Sequence, residues 1–235
     1  MRMSSLFRVA PVALALLSGA TLAAPAATVY GDRTAFMSTM KIFVLDDYQN
    51  PAYQPAQSDA AMSAVLGETR YTATGFNNVN LVIHDSDLPD TPSQPRFYCA
   101  GCNGSFVMDF TKASVASGGA VHGVGFDYVN VADPWQFFLG YHADITFGDG
   151  SHQDIPLGLS DYTGPGQWAF FGLTSEQGIR SISIGRANGA PSTAGFFGQD
   201  NLVIGSAVPV PEPAPVAMLG VGLGALLWRA KRSRR

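Results

Sequence analysis

Apolar side chains recur at every second position through most of residues 28–206, and Gly, Asn, Asp and Pro interrupt the runs. This alternation is typical of strands with one buried face that are separated by turns. In residues 145–155, ITFGDGSHQDI, two alternating runs flank a Gly-Asp-Gly sequence that suits a tight hairpin. We predict ten strands, at residues 42–48, 71–76, 79–84, 105–110, 123–131, 137–147, 152–159, 168–173, 179–184 and 198–204.

Two short helices interrupt the strand pattern. Asp32 is a favourable N-cap for a helix over residues 33–40, and Ser58 or Asp59 is one for a helix that ends at Gly67. Many strands and few helices predict an all-β fold, a two-sheet, jelly-roll-like β-sandwich over residues 27–206. An N-terminal signal helix and a short C-terminal hydrophobic helix are expected outside this domain.

Residues 1–26 have the features of a secretory signal peptide. Arg2 and Arg8 supply the positive start, residues 9–22 are mostly apolar, and small residues follow at positions 23–27. The alternative, a membrane anchor, needs about 20 apolar residues, whereas this run is shorter and contains Pro11 and Gly19. We therefore expect a cleaved signal, export, and an oxidising environment for the mature chain.

The charges are divided unevenly between the domain and the termini. Residues 28–206 carry seven of the 14 basic and 17 of the 18 acidic side chains, a net charge of −10. A domain this acidic repels phosphate backbones and anionic lipid surfaces, which disfavours nucleic-acid binding and membrane-surface binding. The same charge makes the domain a suitable host for cations.

Residues 207–235 form a tail of three successive parts. Pro211, Glu212 and Pro213 form an extended stretch that a protease can grip. Residues 214–228 are uncharged and span about 22 Å as a helix, less than the roughly 30 Å of a bilayer core. A basic end then stops transfer and stays on the cytoplasmic side, with the positive charges at Arg229, Lys231, Arg232, Arg234 and Arg235.

These three parts in this order resemble the PEP-CTERM sorting signal of Gram-negative bacteria. The resemblance implies recognition and cleavage by a membrane exosortase, then release or attachment at the cell surface or in an exopolysaccharide matrix. An ordinary short C-terminal anchor is the alternative. Phrases such as CAGCNGSFVMDF, ITFGDGS and GFFGQDNLVIG also resemble uncharacterised exported PEP-CTERM proteins with a lectin-like or carbohydrate-binding-module-like domain.

Cys99 and Cys102 are the two cysteines of the chain. A Cys-x-x-Cys pair forms a redox site when it begins a helix in a βαβ unit, but here a strand is predicted shortly after the pair, so we place it in a loop. Zinc needs two further ligands, and the four histidines show no ligand-like spacing. A structural disulfide, worth roughly 2 kcal/mol by loop entropy, is the preferred interpretation, and redox and metal sites are the alternatives.

The carboxylates of Asp46, Asp47 and Asp200 are candidate calcium ligands. The first two end an early predicted strand, and Asp200 lies in the last one. If these strands are neighbours, their oxygens can meet, and oxygen is the ligand that calcium requires. The alternative is that these acids are turn-forming or solvated, so calcium is a conditional cofactor.

Exposed aromatic rings are candidates for sugar binding. Trp135, Tyr141 and Trp168 lie in a segment rich in aromatics, and both tryptophans adjoin turn-forming residues. The alternative is that these rings fill the sandwich core. Motifs of hydrolases, zinc proteases and P-loops do not occur, so no residue is assigned a catalytic role.

The sequence therefore predicts an exported, non-enzymatic β-sandwich with a structural or adhesive role at the cell surface or in the matrix. Its expected partners are the secretion machinery and an exosortase, and the membrane is contacted through the tail before processing. A calcium-assisted carbohydrate-binding module for exopolysaccharide is the first alternative. A hydrolase acting on polysaccharide is the second.

Overall fold

The computed structural model describes residues 27–75, 78–83, 96–102, 104–131, 140–158, 168–193 and 195–207. Two helices are present in these ranges, α1 (Arg33–Thr39) and α2 (Asp59–Ala64), and Ala187–Gly189 form a 3-10 turn. The strands are β1 (Thr28–Tyr30), β2 (Met40–Asp46), β3 (Ala56–Gln57), β4 (Arg70–Ala73), β5 (Asn80–Ile83), β6 (Phe97–Ala100), β7 (Phe106–Asp109), β8 (Val121–Val131), β9 (His142–Phe147), β10 (His152–Pro156), β11 (Ala169–Gly185) and β12 (Phe196–Ala207).

The strands form two layers that share β11. The first half of β11 pairs with β1 on one side and with β8 on the other, and β8 pairs in turn with β12. The other edge of β12 pairs with β2 and with β6. β6 then pairs with β5, and β5 pairs with β3. The second half of β11 pairs with β9 and β7, which continue to β10 and β4. All pairs are antiparallel. The predicted all-β class is confirmed, and the layers are joined in one hydrogen-bonded network of 12 strands.

The main core lies between the two layers. The ring of Phe197 on β12 lies 5.9 Å from that of Phe106 on β7 and 5.1 Å from that of Tyr141 beside β9. Near the other end, the rings of Tyr71 on β4 and Tyr98 on β6 are 5.0 Å apart. Buried rings from both layers thus pack against each other at tilted angles in the interior, as the facing layers of a β-sandwich do.

β11 crosses between the layers at an irregular point. Its pairing with β9 shifts register between Ile179 and Ser181, and Gly178 has φ +74°, where a Cβ would lie 2.7 Å from the Ala120 side chain. The sequence predicted separate strands at 168–173 and 179–184, with residues 174–178 between them. In the structure this stretch remains extended, and the irregularity redirects the strand into the second layer.

Helix α1 covers the outer face of the first layer and forms a second, smaller core. Phe36 is fully buried there with Met40 and Val203. Glycines on the strands beneath make room for the ring: a Cβ at Gly125 would lie 2.7 Å from the Phe36 ring, and one at Gly172 would lie 2.9 Å from it. Side chains at these positions would push the helix off the sheet.

Both helices begin at the caps that the sequence indicated. The Asp32 side chain accepts a hydrogen bond from Ala35 N at 2.7 Å, and Ser58 Oγ accepts one from Ala61 N at 3.3 Å. Each of these bonds satisfies a backbone N–H that the first helical turn leaves without a partner. The predicted hairpin is also confirmed, because β9 and β10 pair from His142↔Pro156 to Thr146↔His152.

Every predicted strand has a counterpart, but three strands were not foreseen. β1 and β3 contain three and two residues, too few to show alternation. β6 has all four residues buried, so its sequence FYCA does not alternate. The signal peptide at 1–26 and the tail beyond residue 207 lie outside the described residues. In the described ranges no helix is long and apolar enough to cross a membrane.

We expect Phe36→Ala to lower the free energy of unfolding by about 3 kcal/mol. The change empties the space between α1 and the glycines of the first layer, and chemical denaturation monitored by tryptophan fluorescence measures it. Ser38→Ala alters an exposed residue of the same helix and serves as the control, with a small effect. Equal effects of the two changes would show that α1 contributes little to the stability of the domain.

Candidate functional site

The structure places β2 and β12 side by side, which is the arrangement that the calcium prediction required. The two strands pair from Leu202↔Asp46 to Ala207↔Met40. β12 is irregular just before this stretch, between Asp200 and Val203 in its pairing with β8, and Asn201 has φ +51°. The irregularity lies at the end of β2, where Asp46 and Asp47 are found.

Asp46 is buried and bound by tyrosines. Its Oδ2 accepts a hydrogen bond from Tyr53 Oη at 2.6 Å, and its Oδ1 accepts one from Tyr48 N at 3.1 Å. Burial raises the pKa of Asp46, and these hydrogen bonds lower it in part. The hydroxyls of Tyr48 and Tyr71 lie 3.0 Å apart, and Gln199 donates to Tyr48 Oη at 2.9 Å. The carboxylate is therefore the end of a buried polar network between the layers.

Asp200 lies in a second group of polar residues, on the other side of β12. It is 8% exposed and lies opposite Asp127 of β8. Arg33 of α1 forms an ion pair with Asp127 at 2.8 Å and donates to the Asn201 carbonyl at 3.2 Å. The same guanidinium lies 4.9 Å from the centre of the Phe170 ring. One cation, Arg33, is therefore paired with Asp127 in a site that also contains the carboxylates of Asp200 and Asp47.

The pKa of Asp200 is unusually high for an aspartate. Burial raises its pKa to about 7, and the nearby carboxylates of Asp127 and Asp47 contribute to the increase. The N–H of Asn201, which donates to Asp200 Oδ1 at 2.7 Å, and the charge of Arg33 act in the opposite direction. A group that is protonated near neutral pH is a weak cation ligand until a cation displaces its proton.

The three predicted calcium ligands do not have the same environment. Asp46 is bound by Tyr53, Asp47 is exposed and accepts from Gln49 N at 3.1 Å, and Asp200 is buried beside Asp127. Among the described residues no group of three or more His, Cys, Asp or Glu side chains has the geometry to hold a metal ion. A calcium site here remains a prediction.

Cys99 and Cys102 form a disulfide, as expected. The prediction that both cysteines lie in a loop is wrong for Cys99, which lies on β6, and correct for Cys102, which lies in the turn after it. Gly101 and Cys102 have φ angles of +63° and +57° and make a tight turn. The Cys102 carbonyl accepts a hydrogen bond from Phe197 N at 3.1 Å, so the bridge holds the end of β6 against the start of β12.

The candidate sugar-binding rings are in different surroundings. Tyr141 is fully buried, and its ring packs against Phe197, so it presents no surface to a sugar in this structure. Trp168 is partly exposed, and its ring lies 5.5 Å from that of Phe97. Trp135 lies outside the described residues. Among the described candidates, a stacking role is therefore best suited to Trp168.

Two His–Asp pairs lie on the hairpin of β9 and β10. His142 contacts Asp154 at 2.8 Å, and His152 contacts Asp144 at 3.4 Å. The two aspartates lie directly opposite each other, so each histidine lies diagonally across from its partner. Asp154 also accepts from Asn188 N at 2.8 Å. His142 and Asp144 are two residues apart on β9, and the partner of each lies on the neighbouring strand β10.

A small pocket opens between β2 and α2. Val44, Asp46, Met62 and Tyr71 are among its lining residues. Its free space is about that of one water molecule. We therefore place no sugar ring in it.

No family model matches the chain, and neither a curated protein nor a solved structure is found to be similar to it. The residues of the site that the sequence did not single out are Asp127, Arg33 and the tyrosines around Asp46. Asp127 was placed on a predicted strand, but only the pairing of β8 with β12 puts it opposite Asp200. No local pattern in the sequence carries that information.

We expect Asp200→Asn to change how stability depends on pH. Because the folded-state pKa of Asp200 is about 7, above its ordinary value of 3.8, the folded chain keeps a proton that the unfolded chain has released. The free energy of unfolding therefore falls as pH rises from about 4 to about 7. The variant lacks this loss, up to about 4 kcal/mol at pH 8, and urea unfolding at pH 4 and pH 8 measures it.

Asp149→Asn is the matched control for this experiment. Asp149 is exposed on the turn between β9 and β10, and hydrogen bonds from Ser151 lower its pKa. Its titration therefore lies below the window in which Asp200 acts. If Asp200→Asn and Asp149→Asn have the same pH dependence as the unchanged chain, Asp200 is not protonated in the folded state at pH 5–7.

Proposed function

We propose that the chain is an exported, non-catalytic β-sandwich protein that an exosortase sorts to the cell surface or the extracellular matrix. Its role there is structural or adhesive. The tail carries this proposal: Pro211, Glu212 and Pro213 precede an uncharged run over residues 214–228 and a basic end. This order suits a chain that pauses across the membrane while a protease acts on its outer side.

The state of the polar groups in the described domain supports a non-catalytic role. The buried carboxylate of Asp46 is bound by Tyr53. Asp127 is paired with Arg33. Side chains held in structural contacts are poorly placed to transfer protons to a substrate. The disulfide between Cys99 and Cys102 is in keeping with an oxidising compartment.

Replacing Pro211, Glu212 and Pro213 together by Ala is expected to prevent sorting. Without the extended acidic stretch, the tail stays uncleaved and the chain remains in the inner membrane of an exosortase-containing bacterium. Cell fractionation and the intact mass of the recovered chain measure the result. Unaltered cleavage in this variant would contradict the proposal.

Pro209→Ala is the matched control, because it removes a neighbouring proline outside the triplet. We expect this variant to be processed as the unchanged chain is. A second comparison uses a host that lacks the exosortase, where the unchanged chain keeps its tail. Release of a shortened chain from that host would assign the cleavage to another protease.

Calcium-assisted binding of exopolysaccharide is the second candidate function. The observation that favours it is the position of Asp200 beside Asp127 and Asp47 in a domain with a net charge of −10. A calcium ion bound here would offset the mutual repulsion of these carboxylates. Trp168 supplies a partly exposed ring on which a sugar can stack.

Co-sedimentation with exopolysaccharide from the producing organism tests this candidate. We expect association in millimolar calcium, its loss in chelator, and at least tenfold weaker association for Asp200→Asn, with Asp149→Asn as the control. Association that is equal in calcium and chelator would remove the role of the ion. No association in either buffer favours the structural role without sugar binding, and shortening of the polymer would identify a hydrolase instead.

A further inference from the structure

β2 has a free edge with apolar side chains beside it. One edge of β2 pairs with β12. In the described part of the chain, no strand pairs with the opposite edge of β2. The exposed fractions of Ile42, Phe43 and Leu45 are 59%, 45% and 47%. An edge of unpaired backbone N–H and C=O groups next to exposed apolar side chains is a template for another strand.

The other described edges are protected or short. Helix α2 covers β4: Ser63 Oγ accepts from Tyr71 N at 2.9 Å, and Asp59 Oδ1 accepts from Ala73 N at 3.0 Å. β10 carries polar side chains and ends at Pro156, which has no N–H to donate. β1 and β3 have three and two residues. Among the described edges, β2 therefore stands out as both long and apolar.

We propose that β2 pairs with β2 of a second copy of the chain, antiparallel and about a two-fold axis at Val44. In this register Phe43 lies opposite Leu45 of the second copy, and Leu45 lies opposite Phe43 of the second copy. These two symmetric pairs lie on the same face of the sheet. Lys41 lies opposite Asp47 of the second copy, and the symmetry repeats this ion pair. β2 together with Asp47, the residue that follows it, is thus complementary to itself in charge and in apolar surface.

The charges select this register over its neighbours. An axis at Phe43 would place Lys41 opposite Leu45 of the second copy, and an axis at Leu45 would place Asp47 opposite Phe43. Both would leave an exposed charge, that of Lys41 or Asp47, beside an apolar side chain. In the Val44 register the carboxylate that falls opposite an apolar residue, Ile42, is that of Asp46, which is buried and bound by Tyr53. The two-fold contact uses the same surface of both copies, so it closes as a dimer and does not propagate as a filament.

A contact made by one seven-residue strand is at the small end of specific interfaces. We therefore expect a dimer in equilibrium with the monomer, with a dissociation constant of about 10–100 μM. This inference does not rest on the proposed function, since it depends on the β2 surface alone.

Sedimentation equilibrium of the full-length chain in a density-matched mild detergent tests the dimer. The unchanged chain is expected to approach dimer mass as its concentration rises above the dissociation constant. Phe43→Asp places a carboxylate opposite Leu45 and diagonally across from Asp47 of the second copy, and we expect at least a tenfold weaker dimer. Val29→Asp, at an exposed apolar position of β1, is the matched control and should leave the dimer unchanged.

A charge exchange tests the register. Lys41→Asp and Asp47→Lys each place like charges opposite each other at two positions, and we expect each to weaken the dimer about tenfold. The double variant restores opposite charges and is expected to recover the dimer. Lys112→Asp, on the turn after β7, is the control for the change in net charge.

Three outcomes would overturn the proposal. The first is a monomer of the unchanged chain at 1 mM with intact circular dichroism. The second is a dimer that Phe43→Asp and the charge variants leave unaltered, which would assign association to another part of the chain, such as the tail. The third is a double charge variant no better than the single ones, with all three folded, which would refute this register.

Discussion

The architecture depends on β11, a 17-residue strand that belongs to both layers. Its first half pairs with β8 and its second half with β9 and β7. A continuous backbone cannot pass between layers without a local change of direction, and Gly178 provides it at a positive φ where Ala120 leaves no space for a side chain. The crossing joins the two layers that enclose the core of aromatic rings.

The two sides of the first layer are filled by different means. Toward the second layer, large rings such as Phe126, Phe171 and Phe197 fill the core. On the outer face, Gly125 and Gly172 leave a depression that Phe36 occupies. The helix that carries Phe36 also carries Arg33, so the packing of α1 positions the cation that neutralises Asp127. Outer packing and the electrostatics of the carboxylate site are therefore coupled.

Burial of polar groups inside the domain costs hydration free energy, and nearby hydrogen bonds compensate for part of this cost. Asp46 is buried, and hydrogen bonds from Tyr53 and the Tyr48 backbone compensate in part for lost hydration. Asp200 has a hydrogen bond from its neighbouring N–H, but burial raises its pKa to about 7, and the nearby carboxylates of Asp127 and Asp47 add to the increase. Both side chains are nearly inaccessible, and burial is the main cause of the raised pKa of each.

The sequence by itself determined the all-β class, the hairpin of β9 and β10, both helix caps and the bonded cysteines, because periodicity, turn residues and caps are local properties. It also placed Asp46 and Asp47 at the end of an early strand and Asp200 in the last strand. Only the tertiary structure decided that β11 is one strand, that β6 is a strand, and that Asp127 lies opposite Asp200. These features arise from pairing between distant segments, which local patterns do not encode.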